Sequence, residues 1–257
     1  MITAYTLFSG SGGNCTYITS GKTEILIDAG KSCLAIEQAL NRLGTSLSHI
    51  SDIFVTHEHS DHICGLEVIS KKYNIPVHLA FPSYDKAVRD GTYLKRSALR
   101  HDVLFEKAVG DVTVKSFEIP HDSAQNLGYI ISDGESTLGT ATDMGHITEG
   151  VAFKLKECDF VILEANHDVD MLKKGPYPEY LKKRILSKNG HLSNKNASLL
   201  SCFLAESGVK HLTLAHLSKE NNTPELALST VMSALEHNGL SLDVSVAMEC
   251  EPTLISR

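Results

Sequence analysis

Between Thr56 and Ile63 the chain reads Thr-His-Glu-His-Ser-Asp-His-Ile, which places His57, His59, Asp61 and His62 within six positions. The apolar run Ile53-Phe54-Val55 directly precedes them. A strand ending in such a cluster delivers several imidazole and carboxylate groups to one point at a sheet edge. Zn²⁺ and related transition metals favour that mixture of ligands. His57 and His59, two apart in an extended segment, can face one ion. Asp61 and His62, at the start of a helix, can turn toward a second.

Further residues of these types sit where other strands are expected to end. His121 follows 112–119 and Pro120, and Asp143 follows 136–141 in Ala-Thr-Asp-Met-Gly. His216 follows 212–215 in Leu-Ala-His-Leu-Ser, and Asp28 follows 25–27 in Ile-Asp-Ala-Gly. The elements that must position them are read from hydrophobic period and turn residues. Strands are expected at 2–8, 14–19 and 23–28 as a meander, then at 53–56 and 77–80. Helices are expected at 32–43, with Leu34, Leu40 and Leu43 on the buried face, at 61–73 and, basic in character, at 81–101. Strands return at 103–105, 112–119, 128–132 and 136–141, with Asp133-Gly134 as a hairpin turn. Helix 147–157, strand 160–163, helices within 178–207, strand 212–215, helix 224–238 and strand 244–246 complete the pattern. Two blocks of strands, each followed by helices, imply an α/β protein with two sheets face to face and helices outside, a four-layer αββα sandwich. No linker or low-complexity tract interrupts the chain, so a single domain over 1–257 is expected.

Composition sets bounds. At 42% hydrophobic and 21% charged, the 257 residues are ordinary for a globular protein with a sizeable core. No basic n-region with an apolar h-region opens the chain, and no apolar run approaches ~18 residues, so neither secretion nor membrane spanning is expected. The scattered cysteines lack a CxxC pair and suit reduced thiols in a cytoplasm. Cys64 is read as a small core residue at a helix start, with metal ligation as the alternative. The net charge of −7 argues against a protein coated in nucleic acid. It still allows a local basic patch. Lys86, Arg89, Lys95, Arg96 and Arg100 form one candidate, and Lys173, Lys174, Lys182, Lys183, Arg184 and Lys188 another; either run is equally a solvated helix face.

The HxHxDH pattern, taken with Asp28, His121, Asp143 and His216 in order, resembles the metallo-β-lactamase superfamily. The resemblance implies that His121 joins His57 and His59 on a first metal, and that Asp143 bridges to a second metal held by Asp61, His62 and His216. It also implies that Asp28 is a buried aspartate orienting the ligands. Two divalent ions, Zn, Mn or Fe, are then expected, ~3.5–4 Å apart. Sharing an aspartate, they can hold a bridging hydroxide as nucleophile, because coordination lowers the pKa of water to roughly 7.

The superfamily acts on several substrates, so the residues outside the metal shell must discriminate. Glu164, in Leu-Glu-Ala-Asn, and His191, in Gly-His-Leu-Ser-Asn, resemble the pair found in its nuclease branch, where the glutamate orients a histidine acting as acid. His191 equally flanks helix 193–207, with Ser193 or Asn194 as its cap, and both readings can hold together. Ser-Gly-Ser-Gly-Gly-Asn-Cys-Thr-Tyr, Thr-His-Glu-His-Ser-Asp-His-Ile, Glu-Ala-Asn-His-Asp, Gly-His-Leu-Ser-Asn and Ala-His-Leu-Ser-Lys-Glu-Asn-Asn together resemble the bacterial YycJ (WalJ) exonuclease group. That resemblance implies 5′→3′ cleavage of DNA, single- or double-stranded, with a link to DNA repair, Asp61, Glu164 and His191 being the catalytic set. The turn at 9–13, through Ser9, Ser11 and its backbone N–H groups, either holds a substrate phosphate or is simply a tight hairpin. Asn166 and His167 are expected to line the same cleft. The alternatives are an acyl hydrolase of the thioesterase or lactonase type and an RNA-processing nuclease.

Overall fold

In the computed structural model, which describes residues 1–92 and 98–256, β1 (Thr3–Phe8), β2 (Cys15–Thr19) and β3 (Glu24–Ile27) form an antiparallel meander. β4 (Asp52–Phe54), β5 (Val77–Ala80) and β6 (Ala98–His101) then add in parallel. Parallel neighbours need crossovers. These carry α1 (Cys33–Arg42), α2 (Ser60–Ile63), α3 (Leu66–Tyr73) and α4 (Phe81–Arg89). The second half repeats the scheme. β7 (Glu106–Val109), β8 (Val112–Ile119), β9 (Asn126–Ser132) and β10 (Thr137–Ala141) are antiparallel, and β11 (Phe160–Glu164), β12 (His211–Ala215) and β13 (Asp243–Val246) follow in parallel. α5 (Glu149–Leu155), then α6 (Val169–Lys174), α7 (Glu179–Ile185) and α8 (Asn194–Glu206), then α9 (Pro224–His237) fill the connections. β14 (Thr253–Ser256) returns antiparallel to β1. Among the described residues this makes two seven-stranded sheets, ordered β14-β1-β2-β3-β4-β5-β6 and β13-β12-β11-β10-β9-β8-β7.

Side-chain alternation along the strands builds the layers. Ile25, Ile27 and Phe54 face the second sheet, meeting Val114, Tyr129, Ile131 and Ile162 in the inter-sheet core. Their neighbours Leu26, Ile53 and Val55 face outward onto Ile36 and Leu40 of α1 and Leu66 and Ile69 of α3. On the second sheet, Val161 and Leu163 face outward onto Leu155, Leu200, Leu204 and Val231 of α5, α8 and α9. The outcome is the four-layer αββα sandwich. Side-chain caps start the longer helices: Ser32 accepts from the amide of Ala35, Ser193 from Asn196 and Thr223 from Leu226.

Several expected boundaries move. Helix 61–73 is two helices, because the amide of Gly65 bonds the carbonyl of Ala29 and the Asp61 carbonyl accepts from Asn14, each at 2.8 Å. A Cβ on Gly65 would lie 2.1 Å from the Lys31 carbonyl oxygen, so only glycine admits this crossing. The helix expected over 81–101 ends at Arg89, and Ala98–His101 is a strand paired with β5. Lys95 and Arg96 of the first basic run lie outside the described residues. Strand 103–105 is absent: the Phe105 amide bonds the Ser116 hydroxyl at 2.8 Å, and the strand falls instead on Glu106–Val109. Leu34 is exposed rather than buried, while Leu40 is in the core. Cys64, read as a core residue, is exposed, and all six thiols are free. Among the described residues no helix is long and apolar enough to cross a membrane.

Tyr129 spans the two sheets: fully buried on β9, its hydroxyl donates to the Val55 carbonyl at 2.6 Å, directly ahead of the histidine cluster. Tyr129→Phe keeps the ring and leaves that carbonyl unpaired, an expected loss of about 1–3 kcal/mol. Urea denaturation at unchanged m-value reads it; a midpoint equal to wild type would refute the role.

Candidate metal centre

β3, β4, β8, β10, β11 and β12 point their carboxyl ends toward one edge of the sandwich, and each ends at or just before a candidate residue. Asp28, Asp143 and His216 turn there with left-handed backbones, φ 63°, 57° and 56°. Non-glycine residues adopt this conformation only when their surroundings over-determine it, and such strain gathers at functional sites. The Asp28 amide is held by the Phe54 carbonyl at 2.8 Å. The Asp143 carbonyl accepts from the Asn126 amide side chain at 2.8 Å, and the His216 amide donates to the Ser9 hydroxyl at 2.8 Å.

All seven candidate ligands come together. His57, His59 and His121 form one group, and Asp61, His62 and His216 another, the potential ligand atoms within each lying no more than 4.8 Å apart. Asp143 sits between them. Its Oδ2 is 3.1 Å from His62 Nε2, and its Oδ1 is 3.7 Å from His121 Nε2 and 3.5 Å from His216 Nδ1. His57 Nε2, His121 Nε2, His216 Nε2 and Asp143 Oδ2 are buried without a hydrogen-bond partner. Four orphaned polar atoms turned on one another would each cost about 1–3 kcal/mol. Imidazole nitrogens and carboxylate oxygens in this state are the donor set of a divalent cation, so the residues present fit metal ions.

Two buried carboxylates aim the ligands. Asp28 accepts from the amide and hydroxyl of Thr56, and from His62 Nδ1 at 2.7 Å. Glu164, with no exposure, accepts from the amides of Met144 (2.6 Å) and Leu192 (3.1 Å) through Oε2. Its Oε1 takes His191 Nδ1 at 2.7 Å and His216 Nδ1 at 3.1 Å. His121 Nδ1 donates to the Gly190 carbonyl at 3.0 Å. Each such bond fixes a tautomer and leaves Nε2 for the site.

The charges follow. Burial alone would raise the Asp61 and Asp143 carboxyls, but the surrounding imidazoles hold both low. Burial opposes charge on Glu164 too, yet the charge and hydrogen bond of His191 bring it to about 2. Burial pushes His216 down, and Asp143, Asp61 and Glu164 outweigh it, lifting it to about 10. His62 is raised in the same way, against burial, by Asp28 and Asp143. His57 and His121 are lowered, burial being the main cause in each. Without metal, then, His57 and His121 favour the neutral form that ligates, while His62 and His216 favour holding protons.

The cavity over this cluster, about 250 Å³, is lined by Asp61, Asp143, Asn166, His191, His216 and Ser11 among others. Ser9 lines the neighbouring cavity, its hydroxyl on the His216 amide. His167 is not among the lining residues; it is buried, both ring nitrogens lack partners, and burial lowers it to about 4. Four residues outside the expected catalytic, ligand and substrate set also reach the site. Asn14 reaches within 3.1 Å of His62 Nε2, Thr56 bridges to Asp28, and Arg184 forks onto Asp122 at the cavity rim. Asn14 directly follows the glycine-rich turn, Thr56 and Asp122 lie directly beside candidate ligands, and Arg184 is in the second basic run. Those positions were the available signals.

The family described as the beta-lactamase superfamily domain matches residues 23–217. The chain belongs to the metallo-β-lactamase superfamily. It is similar to exodeoxyribonuclease YycJ of Bacillus anthracis, 36% identical over 237 residues that cover 92% of this chain and 90% of that one. Exodeoxyribonuclease WalJ of Streptococcus pneumoniae serotype 2 is 34% identical over 242 residues, 93% of this chain and 90% of the other. Among solved structures, the metallo-β-lactamase-fold protein YhfI of Bacillus subtilis shares the fold with a TM-score of 0.74 at 16% identity, covering 98% and 99% of the two chains.

Two outcomes test the centre. Gly190 crosses α7 so closely that a Cβ would lie 2.2 Å from the Ile185 carbonyl oxygen. Gly190→Ala must therefore shift the carbonyl that aims His121, with an expected loss of about 10–100-fold in metal affinity by competition with a chelator. Metal binding must also expel the protons on His62 and His216. Zn²⁺ titration of metal-free protein at pH 7, in buffers of different ionisation enthalpy, is expected to give buffer-dependent heat. That dependence should shrink as the pH rises through about 10, where His216 loses its proton before any metal arrives; buffer-independent heat at pH 7 would contradict this proton placement.

Proposed function

We propose that the protein is a metal-dependent phosphodiesterase, a 5′→3′ DNA exonuclease, contributing to DNA repair in the cytoplasm and folded as one domain over 1–257. The observation that carries the reading is the Glu164–His191 contact at 2.7 Å beside Asp143. Cleaving a phosphodiester requires a proton for the departing oxygen from a positioned donor. With Nδ1 committed to Glu164, His191 offers Nε2 to the cavity. Burial disfavours its proton, but Glu164 outweighs burial and raises its pKa, favouring the protonated ring that a general acid needs. His191 is 16% exposed, in contrast to the fully buried Glu164, so it can meet a substrate. The near-full-length likeness to YycJ and WalJ supports DNA as substrate.

His57, His59, Asp61, His62, His121, Asp143 and His216 would hold two divalent ions, with Zn, Mn and Fe all compatible with these ligands. When bound, such ions supply Lewis acidity and lower the pKa of water. Asp61 and Asp143 neutralise their charge, Asp28 and Glu164 hold the rings in register, and Ser11 and Asn166 line the substrate cavity.

Oligonucleotides labelled at the 5′ or the 3′ end, single- and double-stranded, with Zn²⁺, Mn²⁺ or Mg²⁺, test the proposal. Asp143→Ala is expected to abolish cleavage. His191→Ala is expected to lower kcat by about 10²–10⁴-fold with little change in KM. Turnover of thioesters or lactones with DNA left intact would overturn the nuclease reading, and full activity in His191→Ala would overturn the acid assignment.

A further inference from the structure

The site is crowded with carboxylates: Asp61, Asp143 and Glu164 lie in the cluster, and Asp122 stands beside it, 3.4 Å from His121 Nε2. A polyanionic substrate must approach past them. Among the described residues lining the cavity, Arg184 is the one permanently charged cation. It sits on the last turn of α7 with its side chain about half exposed. Nε and Nη2 fork onto the two oxygens of Asp122, the second contact at 3.0 Å. A fork of this kind fixes the plane of the guanidinium, and three of its five N–H donors stay uncommitted to Asp122.

α7 is itself anchored to the site. The His191 amide donates to the Ile185 carbonyl at 3.0 Å, and Ile185 is buried. Arg184 therefore keeps a set distance from His191, on the backbone rather than through a mobile loop. Tyr177, on the segment leading into α7, lines the same cavity. The α6–α7 hairpin also exposes Lys173, Lys174 and Lys183, with Lys188 just beyond it, in a chain whose net charge is −7. The second basic run of the sequence is thus carried by the same segment that brings Arg184 to the cavity.

Building on the nuclease reading, we propose that Arg184 is the substrate-phosphate clamp of this site and that Tyr177 stacks on an adjoining base, making the α6–α7 hairpin the face that receives a single strand. Asp122 holds the guanidinium flat in the free protein. The strand's phosphate oxygens take the remaining donors, and the lysines of the hairpin follow the backbone. Base stacking and phosphate contact together favour nucleic acid over a lone phosphate ester, because a small ester offers the clamp without the stack.

The test uses metal-loaded wild type, Arg184→Ala, Arg184→Lys, Tyr177→Phe and Tyr177→Leu. The probes are a fluorescent single-stranded DNA with cleavage-resistant phosphorothioate linkages, read by anisotropy, and its cleavable counterpart, read by steady-state kinetics. Arg184→Ala is expected to weaken binding and raise KM about tenfold or more, and to flatten the dependence of log affinity on log salt by about 0.7. Metal content and melting temperature should stay at wild-type values, because an exposed ion pair contributes little to stability. Arg184→Lys should recover the salt slope but not the full affinity, since an ammonium lacks the fork. Tyr177→Phe should bind as wild type, and Tyr177→Leu several-fold more weakly. Wild-type affinity and salt slope in Arg184→Ala would overturn the clamp, as would a loss fully explained by missing metal. Equal binding by Tyr177→Phe and Tyr177→Leu would overturn the stack. Wild-type protein that neither binds nor degrades DNA would overturn the nuclease reading and this assignment together, whereas DNA cleavage that is indifferent to Arg184 would overturn this assignment alone.

Discussion

A carboxylate is buried at low cost only if its oxygens are saturated, and Glu164 meets that condition with donors from three separate segments. Met144 N comes from the exit of β10, Leu192 N and His191 Nδ1 from the start of α8, and His216 Nδ1 from the exit of β12. The charge thereby ties three chain crossings to one point. Removing it would leave those donors unpaired in a low-dielectric interior, where each orphan is costly. Asp28 plays the matching part in the other sheet, gathering Thr56 and His62 onto β3. The two sheets each contribute one saturated carboxylate, and the candidate ligands are suspended between them.

Asp143 faces His62, which Asp28 holds, and His216, which Glu164 holds, and has no comparable saturation: Oδ2 lacks a hydrogen-bond partner while imidazoles surround it. The asymmetry separates carboxylates that orient from one that ligates. It also explains the left-handed backbones at Asp28, Asp143 and His216. A strand running straight on would carry its next side chain past the sheet edge. A left-handed residue turns the chain at once and brings the side chain back over the site. Each such turn costs on the order of 1–3 kcal/mol and is held by a specific bond, including the one from His216 N to Ser9 Oγ. The glycine-rich turn that carries Ser9 is accordingly part of the scaffold of His216.

The fold was legible where hydrophobic period is strong. Ile25, Ile27 and Phe54 alternate with Leu26, Ile53 and Val55, and the structure sends the two sets to opposite faces. Legibility failed where a distant backbone group decides the outcome. Gly65 interrupts a good helical pattern because Ala29, far away in sequence, accepts its amide. Ala98–His101 carries charged and apolar residues without clear period, and becomes a strand because β5 offers an open edge. The expected site residues converge with few exceptions. His167 stays out of the cavity lining despite its neighbour Asn166, since adjacent residues in an extended segment face opposite ways.

The amino-acid sequence by itself determined the chemistry on offer: imidazoles and carboxylates placed at strand ends, a glutamate and a histidine beyond them, and apolar alternation sufficient for two covered sheets. These are local properties, set by residue type and by the periods of helix and strand. The stacking of the sheets decided the rest: that one oxygen of Glu164 serves both His191 and His216, that Gly190 aims His121, and that Arg184 meets Asp122 at the cavity rim. Those pairings join residues whose separation in sequence has no fixed relation to their distance in space. They exist only once two layers of strands bring their loops to the same edge.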